Sequence, residues 1–392
     1  MMARDAGGLE RAVGAVVDPE LALPLSEVGM VRSAALGRRR RAEVVLALPV
    51  ADWPGADELE RAVRDAASGA PGVEEASVAT TVMSDGERTV LRQSLRARMT
   101  GADPADGAPE RHDGHDGHDH DHGDDDLPLF LAPGSRSRVI GVSSGKGGVG
   151  KSSVSVNLAV ALAAAGYRVG ILDADVYGFS VPRMLGADHD PVILGDLVVP
   201  TLVHGVRVLS MGFFVPDDQP VIWRGPMLHK AVEQFLTDAY WGDPDFLLVD
   251  MPPGTGDVAL SLAQVMPRAE VVVVTTPQPA AQRVAQRSAY AARKLRLSVR
   301  GAIENMSWFT GDDGTRYELF GRGGGEALAA DLGVPLLGQV PFVPAIREGG
   351  DDGVPALVAD PGSEAARAFV ALAERLAALG PARVYRRELT VR

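Results

Sequence analysis

A mostly parallel α/β sheet covered by helices on both faces, preceded by a small α+β domain, is the architecture this sequence predicts. Three observations carry it. From Arg138 onward, short runs rich in Val, Ile and Leu alternate with helix-length segments, the pattern of strands buried on both faces and joined by helical crossovers. One such run empties into a glycine loop that opens an alanine-rich helical stretch, VIGVSSGKGGVGKSS. Residues 1–100 carry their own helix and strand patterns, and about 100 residues suffice for a domain.

In order along the chain, Gly8 to Val17 has helical spacing, and Asp18-Pro19-Glu20 breaks it. Glu43 to Leu48 reads as a strand, Ala56 to Ser68 as an amphipathic helix, Val73 to Thr81 as a second strand and Glu87 to Met99 as a helix. This first domain, 1–100, shows no catalytic constellation. Trp53, in the loop before the second helix, reads as core packing or a turn rather than a contact site, since loop aromatics commonly cap a core.

Residues 101–128 form a linker rich in Gly, Pro and Asp, without apolar periodicity. It contains RHDGHDGHDHDHGDDD, with five of the eight histidines: His112, His115, His118, His120 and His122. Imidazoles and carboxylates together can bind Zn²⁺, Ni²⁺ or Fe²⁺ loosely. As biological function the alternative is a solvated acidic spacer, because a flexible chain offers no fixed coordination geometry.

From Gly101 to Asp126, nine Asp, one Glu and one Arg supply −9 of the net charge of −13, which leaves the folded parts nearly neutral. That balance argues against a nucleic-acid binder. No apolar run reaches membrane-spanning length, and the start, MMARDAGG, lacks the regions of a signal peptide; the expectation is a cytoplasmic protein with no membrane partner. The absence of Cys excludes disulfides and any thiolate metal site.

In the third segment, 129–392, the strands expected are Val139 to Ser143, Arg168 to Leu172, Phe246 to Val249, Glu270 to Thr275, Val299 to Ile303 and Leu336 to Val340. The loop after the first matches G-x-x-x-x-G-K-[ST], with Gly145 and Gly150 as the fixed glycines, Lys151 as the lysine and Ser152 as the hydroxyl. Chance would produce on the order of 0.005 such matches in a chain of this composition. Backbone N–H groups of Gly145, Lys146, Gly147, Gly148, Val149, Gly150, Lys151, Ser152 and Ser153 can turn toward phosphate oxygens at the positive end of the following helix. Lys151 is expected to reach the β/γ-phosphates of ATP, and the Ser152 hydroxyl to bind Mg²⁺ directly. Only four lysines occur in the chain, and two of them, Lys146 and Lys151, sit in this loop. A P-loop NTPase fold follows, and ligands in such sheets bind at the carboxyl ends of the strands. Polar residues gather there: Asp173 and Asp175 after the second strand, Asp250 after the third, Glu304 and Asn305 after the fifth. Each alone could cap a helix. Together with a phosphate loop they read as a magnesium nucleotide site.

GKGGVGKS is similar to the deviant Walker A loop of the ATPases related to MinD, ParA and the nitrogenase iron protein. The strings DADVYGFS, WRGPM, DMPPGTGD, ENMSWF and FGRGGG resemble one branch, the Mrp-type (ApbC-type) iron–sulfur cluster carrier ATPases. VVDPEL, SEVGMV and PGVEEASV resemble the small iron–sulfur assembly domain that precedes the ATPase in bacterial members. The resemblance implies an ATP-hydrolysing homodimer that sandwiches nucleotide, with iron–sulfur client or assembly proteins as partners. It implies that Lys146 reaches the partner's phosphates, that Asp175 positions the attacking water and that Asp250 holds Mg²⁺ through a water. The turn from Pro252 to Gly256 would sense the γ-phosphate. It further implies that Asn305 reads adenine, with Pro341 and Phe342 lining the base. An iron–sulfur cluster is implied as well, yet where many members carry Cys-x-x-Cys this chain reads Trp308 to Gly314 without sulfur. Two other functions stand beside cluster carriage: a nucleotide-driven dimerisation switch of the MinD/ParA type without a cluster, and a metal chaperone using the histidine tract.

Overall fold

A computed structural model describes residues 2–37, 40–101, 128–132, 134–176, 178–215, 225–254 and 257–381. They divide into two units. The first takes its residues from 1–129, 191–200 and 238–242; the second from 130–190, 201–237 and 243–392.

The first unit begins with α1 (Met2–Gly14), β1 (Val31–Leu36), β2 (Arg41–Leu48), α2 (Ala56–Ser68), β3 (Glu75–Val82) and α3 (Asp85–Thr100). Its sheet runs β1-β2-β3, antiparallel between β1 and β2 and parallel between β2 and β3. α2 forms where the apolar spacing predicts it: Leu59, Val63 and Ala67, four residues apart, are its buried face. α3 starts at a capping box in which Ser84 and Glu87 satisfy each other's backbone N–H, and ends at Gly101 in the left-handed region. α1 ends earlier than its spacing suggested, because the chain turns after Gly14 and Val17 pairs with Pro24. Trp53 is 3% exposed and donates its indole N–H to Asp18 Oδ2 at 2.9 Å, so it serves the core.

The chain continues as β4 (Arg138–Ser144), α4 (Lys151–Ala164), β5 (Val169–Asp173), α5 (Val181–Leu185), β6 (Val192–Leu194), β7 (Leu197–Val199), β8 (Thr201–Val203), β9 (Val206–Ser210), α6 (Gly225–Thr237), β10 (Phe246–Asp250), α7 (Asp257–Val265), β11 (Glu270–Thr275), α8 (Pro279–Lys294) and β12 (Ser298–Glu304). It ends with β13 (Phe309–Thr310), β14 (Arg316–Tyr317), α9 (Gly324–Leu332), β15 (Leu336–Gln339), α10 (Pro344–Asp352), α11 (Ala356–Ala359) and α12 (Glu364–Ala378).

The hairpin of β6 and β7 belongs to the first unit. Leu194, Leu197 and Val199 are at most 3% exposed and share one apolar core with Tyr240 and with Leu91, Leu95 and Met99 of α3. Arg96 pairs with Asp196 at 2.8 Å and with Asp238 at 3.8 Å.

In the second unit, eight strands run in the order β15-β12-β11-β4-β10-β5-β9-β8, all parallel except the edge strand β8. The six strands expected from the sequence are all present and shifted by no more than two residues at either end. Side chains alternate between two covered faces. Ile140 and Val142 join the core that holds α4, α5 and α12, whereas Gly141 meets Met251 and Leu262 of α7 and Ser143 meets Ser288 of α8. α4 is apolar all round because it is buried on every side, with the sheet beneath and α12 against it. At the opposite strand ends, Arg138 places two guanidinium N–H groups on Glu270 Oε2 (3.0 and 2.5 Å) and a third on the Leu376 carbonyl (2.7 Å), tying α12 to the sheet.

Candidate functional site

The parallel register sets the carboxyl ends of the central strands side by side: Asp250 lies opposite Val142 of β4 and opposite Asp173 of β5. β4 ends at Ser144, and the chain turns through the glycine loop into α4. Gly145 and Gly150 are fixed by space. A Cβ on Gly145 would stand 2.2 Å from the Val284 carbonyl carbon of α8. One on Gly150, whose φ is +77°, would stand 2.2 Å from Asn305 Nδ2. The loop thus approaches its neighbours as closely as a backbone can, and α4 presents its unpaired N-terminal N–H groups beside it.

Three predicted residues meet in one cluster. Lys151, 6% exposed, has its Nζ 2.5 Å from Asp250 Oδ2, and the Ser152 hydroxyl donates to the same oxygen at 2.6 Å. Asp250 is wholly buried, where a carboxylate is stable only if paired and hydrogen-bonded. Its second oxygen accepts from Ser155 Oγ at 2.5 Å. Ser155 was missed in the sequence, although its place four residues after Lys151 puts it on the same helix face. Ser152 and Asp250 are hard oxygen donors, the type Mg²⁺ takes.

Asp173 is one of the polar residues the sequence places at this edge, with no individual role assigned to it. It is wholly buried. Its Oδ1 accepts the Asp175 N–H at 3.2 Å, and its Oδ2 accepts the N–H groups of Ser180 (2.9 Å) and Val181 (3.1 Å) and the Ser210 hydroxyl (3.2 Å). Burial foremost, then the neighbouring Asp250, pushes its carboxyl up to about 7, against the pull of those N–H groups. Asp175 itself is half-buried.

Lys146, Gly147 and Gly148 are exposed, and Val149 is buried. Ser153 lies one position beyond Ser152, its carbonyl accepting from Asn157. Asn305 is 5% exposed, and its side-chain amide donates to the Val149 carbonyl at 2.9 Å, a brace on the glycine loop that the sequence did not announce. Pro341 is buried; Phe342 is 39% exposed, with the Phe320 ring edge-on at 5.6 Å. The turn after Asp250 is fastened by the Gly254 N–H on the Ser144 carbonyl (2.8 Å); Thr255 and Gly256 lie outside the described residues, as do His112, His115, His118, His120 and His122.

Where the resemblance implies a cysteine pair, β13 and β14 form a two-residue hairpin. Glu364 accepts from Trp308 Nε1 (2.9 Å), Thr310 Oγ1 (2.8 Å) and Arg316 Nη2 (3.1 Å), and the Arg316 guanidinium lies 4.3 Å from the Trp308 ring centre. With no Cys in the sequence and no group of three or more His, Asp or Glu placed to hold a metal among the described residues, the chain offers no thiolate of its own to an iron–sulfur cluster.

Comparison with known proteins gives the family from a family model and from relatives, and a related fold from a solved structure. Residues 135–377 match the family model described as ParA, NUBPL iron-transfer P-loop NTPase. A Mycobacterium leprae protein named iron-sulfur cluster carrier protein is 42% identical over 385 residues, 95% of this chain and 94% of its own length. A Synechocystis protein of the same name is 40% identical over 372 residues, 92% of this chain and 94% of the relative. The crystal structure of the Pyrococcus furiosus cell division ATPase MinD aligns with a TM-score of 0.50 and 28% identity, over 62% of this chain and all of that one. No described helix is long and apolar enough to cross a membrane. This chain belongs to the NUBPL iron-transfer P-loop NTPases of the ParA class and is an ATP hydrolase.

Proposed function

We propose that this protein hydrolyses ATP as a homodimer enclosing nucleotide between two facing copies, and that the cycle serves iron–sulfur cluster carriage. The observation that carries the proposal is the cluster of Lys151, Ser152 and Asp250 beside a spatially fixed glycine loop. Lys151 would exchange Asp250 for the β/γ-phosphate oxygens, and Ser152 and Asp250 would hold Mg²⁺, Asp250 through a water. Mg²⁺ supplies neutralisation of charge across the β- and γ-phosphates. Asp175 orients the attacking water, and Lys146 reaches the partner copy's phosphates as the charge develops. Asn305, Pro341 and Phe342 flank the base. Positioning and electrostatics suffice, so no protein nucleophile takes part.

The cluster is cargo, and the names of the relatives support that role. Its thiolate ligands come from a client or assembly protein or a small thiol, since this chain has none. That same absence favours a second reading, in which nucleotide-driven dimerisation is itself the output, as in a MinD/ParA-type switch. Size-exclusion chromatography of Asp175→Asn with Mg·ATP tests the dimer: a trapped dimer is expected, and a variant that stays monomeric overturns the sandwich. Anaerobic reconstitution with iron and sulfide, followed by desalting and a visible spectrum, tests cargo binding. No retained chromophore is expected from the protein alone, whereas one should appear when a thiol-bearing client is present; its absence there favours the switch.

A further inference from the structure

We propose that Asp173 is a positioning residue for ATP hydrolysis, a buried pin that sets where Asp175 stands. The proposal rests on the reading above that Asp175 orients the attacking water. Four donors converge on this one carboxylate, and three are backbone N–H groups from the stretch that follows β5: Asp175, Ser180 and Val181. The fourth, the Ser210 hydroxyl, comes from the end of the neighbouring strand β9. Asp175, Ser180 and Val181 are therefore tied to one fixed point at the end of the sheet. Val181 opens α5, so the same carboxylate sets both ends of the segment.

The two oxygens divide the work. Oδ2 holds Ser180, Val181 and Ser210, which closes the far end of the segment onto β9. Among the described residues, Oδ1 holds only the Asp175 N–H, at 3.2 Å. Only a carboxylate can do both, because it accepts at both oxygens, whereas an amide accepts at one and donates at the other. In Asp173→Asn the single oxygen goes to the side with three donors. The NH₂ group then faces the Asp175 N–H, donor against donor, and Asp175 loses its anchor while the segment keeps its outer end. A displacement of about 1 Å in such a positioning contact costs up to about 100-fold in rate.

Steady-state ATPase assays and equilibrium titration with a fluorescent ATP analogue in Mg²⁺ test this on the full chain. Asp173→Asn should lower kcat by about 10- to 100-fold while the analogue's Kd stays within about twofold. Asp173 acts through Asp175, so Asp173→Asn should have no further effect on kcat in an Asp175→Asn background, the signature of coupled residues. Ser210→Ala, which removes one donor and leaves the carboxylate, should lower kcat in the same sense by a few-fold, and it supplies the test if Asp173→Asn does not fold. Unchanged kcat in Asp173→Asn overturns the proposal, as does a fully active Ser210→Ala when Asp173→Asn is unfolded. A Kd that rises in step with the loss of kcat, or independent additive losses in the double variant, also overturns it. A wild-type chain that hydrolyses no ATP defeats the functional reading instead, and the two failures are thereby told apart.

Discussion

Lys151 Nζ and Asp250 Oδ2 lie 2.5 Å apart, both almost wholly enclosed, at the carboxyl end of the sheet. The lysine that would meet phosphate is thus also the countercharge of a carboxylate that bulk solvent does not reach. Lys151→Ala should abolish ATP binding and also destabilise the second unit by about 3–5 kcal/mol, because it strands a buried charge. Lys146 is exposed, so Lys146→Ala should leave both stability and ATP binding intact and slow hydrolysis alone. Calorimetric titration and chemical denaturation check both; equal loss of binding in the two variants removes Lys146 from the partner's site.

At the other end of the same sheet, Arg138 and Glu270 are 5% and 2% exposed and hold the last turn of α12 through the Leu376 carbonyl. Glu270→Gln should cost about 3–5 kcal/mol with no change in Kd for ATP, since the pair sits at the strand ends away from the glycine loop. Urea denaturation monitored by circular dichroism is the measurement.

The β13–β14 hairpin should loosen in acid. Burial raises the Glu364 carboxyl, but the hydrogen bonds from Trp308 and Thr310 and the charge of Arg316 outweigh it and leave the group below its ordinary value of 4.5. A lowered folded-state value means that the unfolded chain binds more protons. The contribution is therefore complete above about pH 4.5 and is lost as the pH falls. Trp308 emission followed from pH 7 to pH 3 should shift with acid, and in Glu364→Gln the shift should be gone.

A substitution far along the chain should destabilise the first unit. Leu197 is wholly buried in the core that α3 shares with β6 and β7. Leu197→Ala should cost about 2–5 kcal/mol, read as earlier exchange of the α1–α3 amides in hydrogen–deuterium exchange, with ATP turnover retained. Unaltered protection of α3 would show that the hairpin contributes nothing to that core.

The central strands were legible because each is dominated by Val, Ile and Leu with little besides Gly between them, a composition that burial on both faces favours. The glycine loop was legible because its spacing is set by phosphate geometry. What escaped was short or collective. β1 is a mixed, half-exposed VRSAAL, and β8 has only three residues, too few to show a period of two. β9 is buried throughout, but Arg207 interrupts its apolar run, and its neighbour is chosen by topology rather than by its own residues. The brace of Asn305 on Val149 and the four donors around Asp173 depend on loops meeting in space, and no spacing along the chain encodes such a meeting.

The first unit takes its last core residues from positions 191–200 and 238–242, and that has a consequence at the ribosome. At 5–20 residues per second, roughly 7–28 s separate the synthesis of residue 101 from that of residue 242. Until that interval closes, the core of Leu91, Leu95 and Met99 is incomplete, without Leu194, Leu197 and Val199 at first and without Tyr240 to the end. The nascent amino-terminal segment is then a sticky, incomplete body, and a chaperone or an early translational pause would act on it before the catalytic sheet has been made.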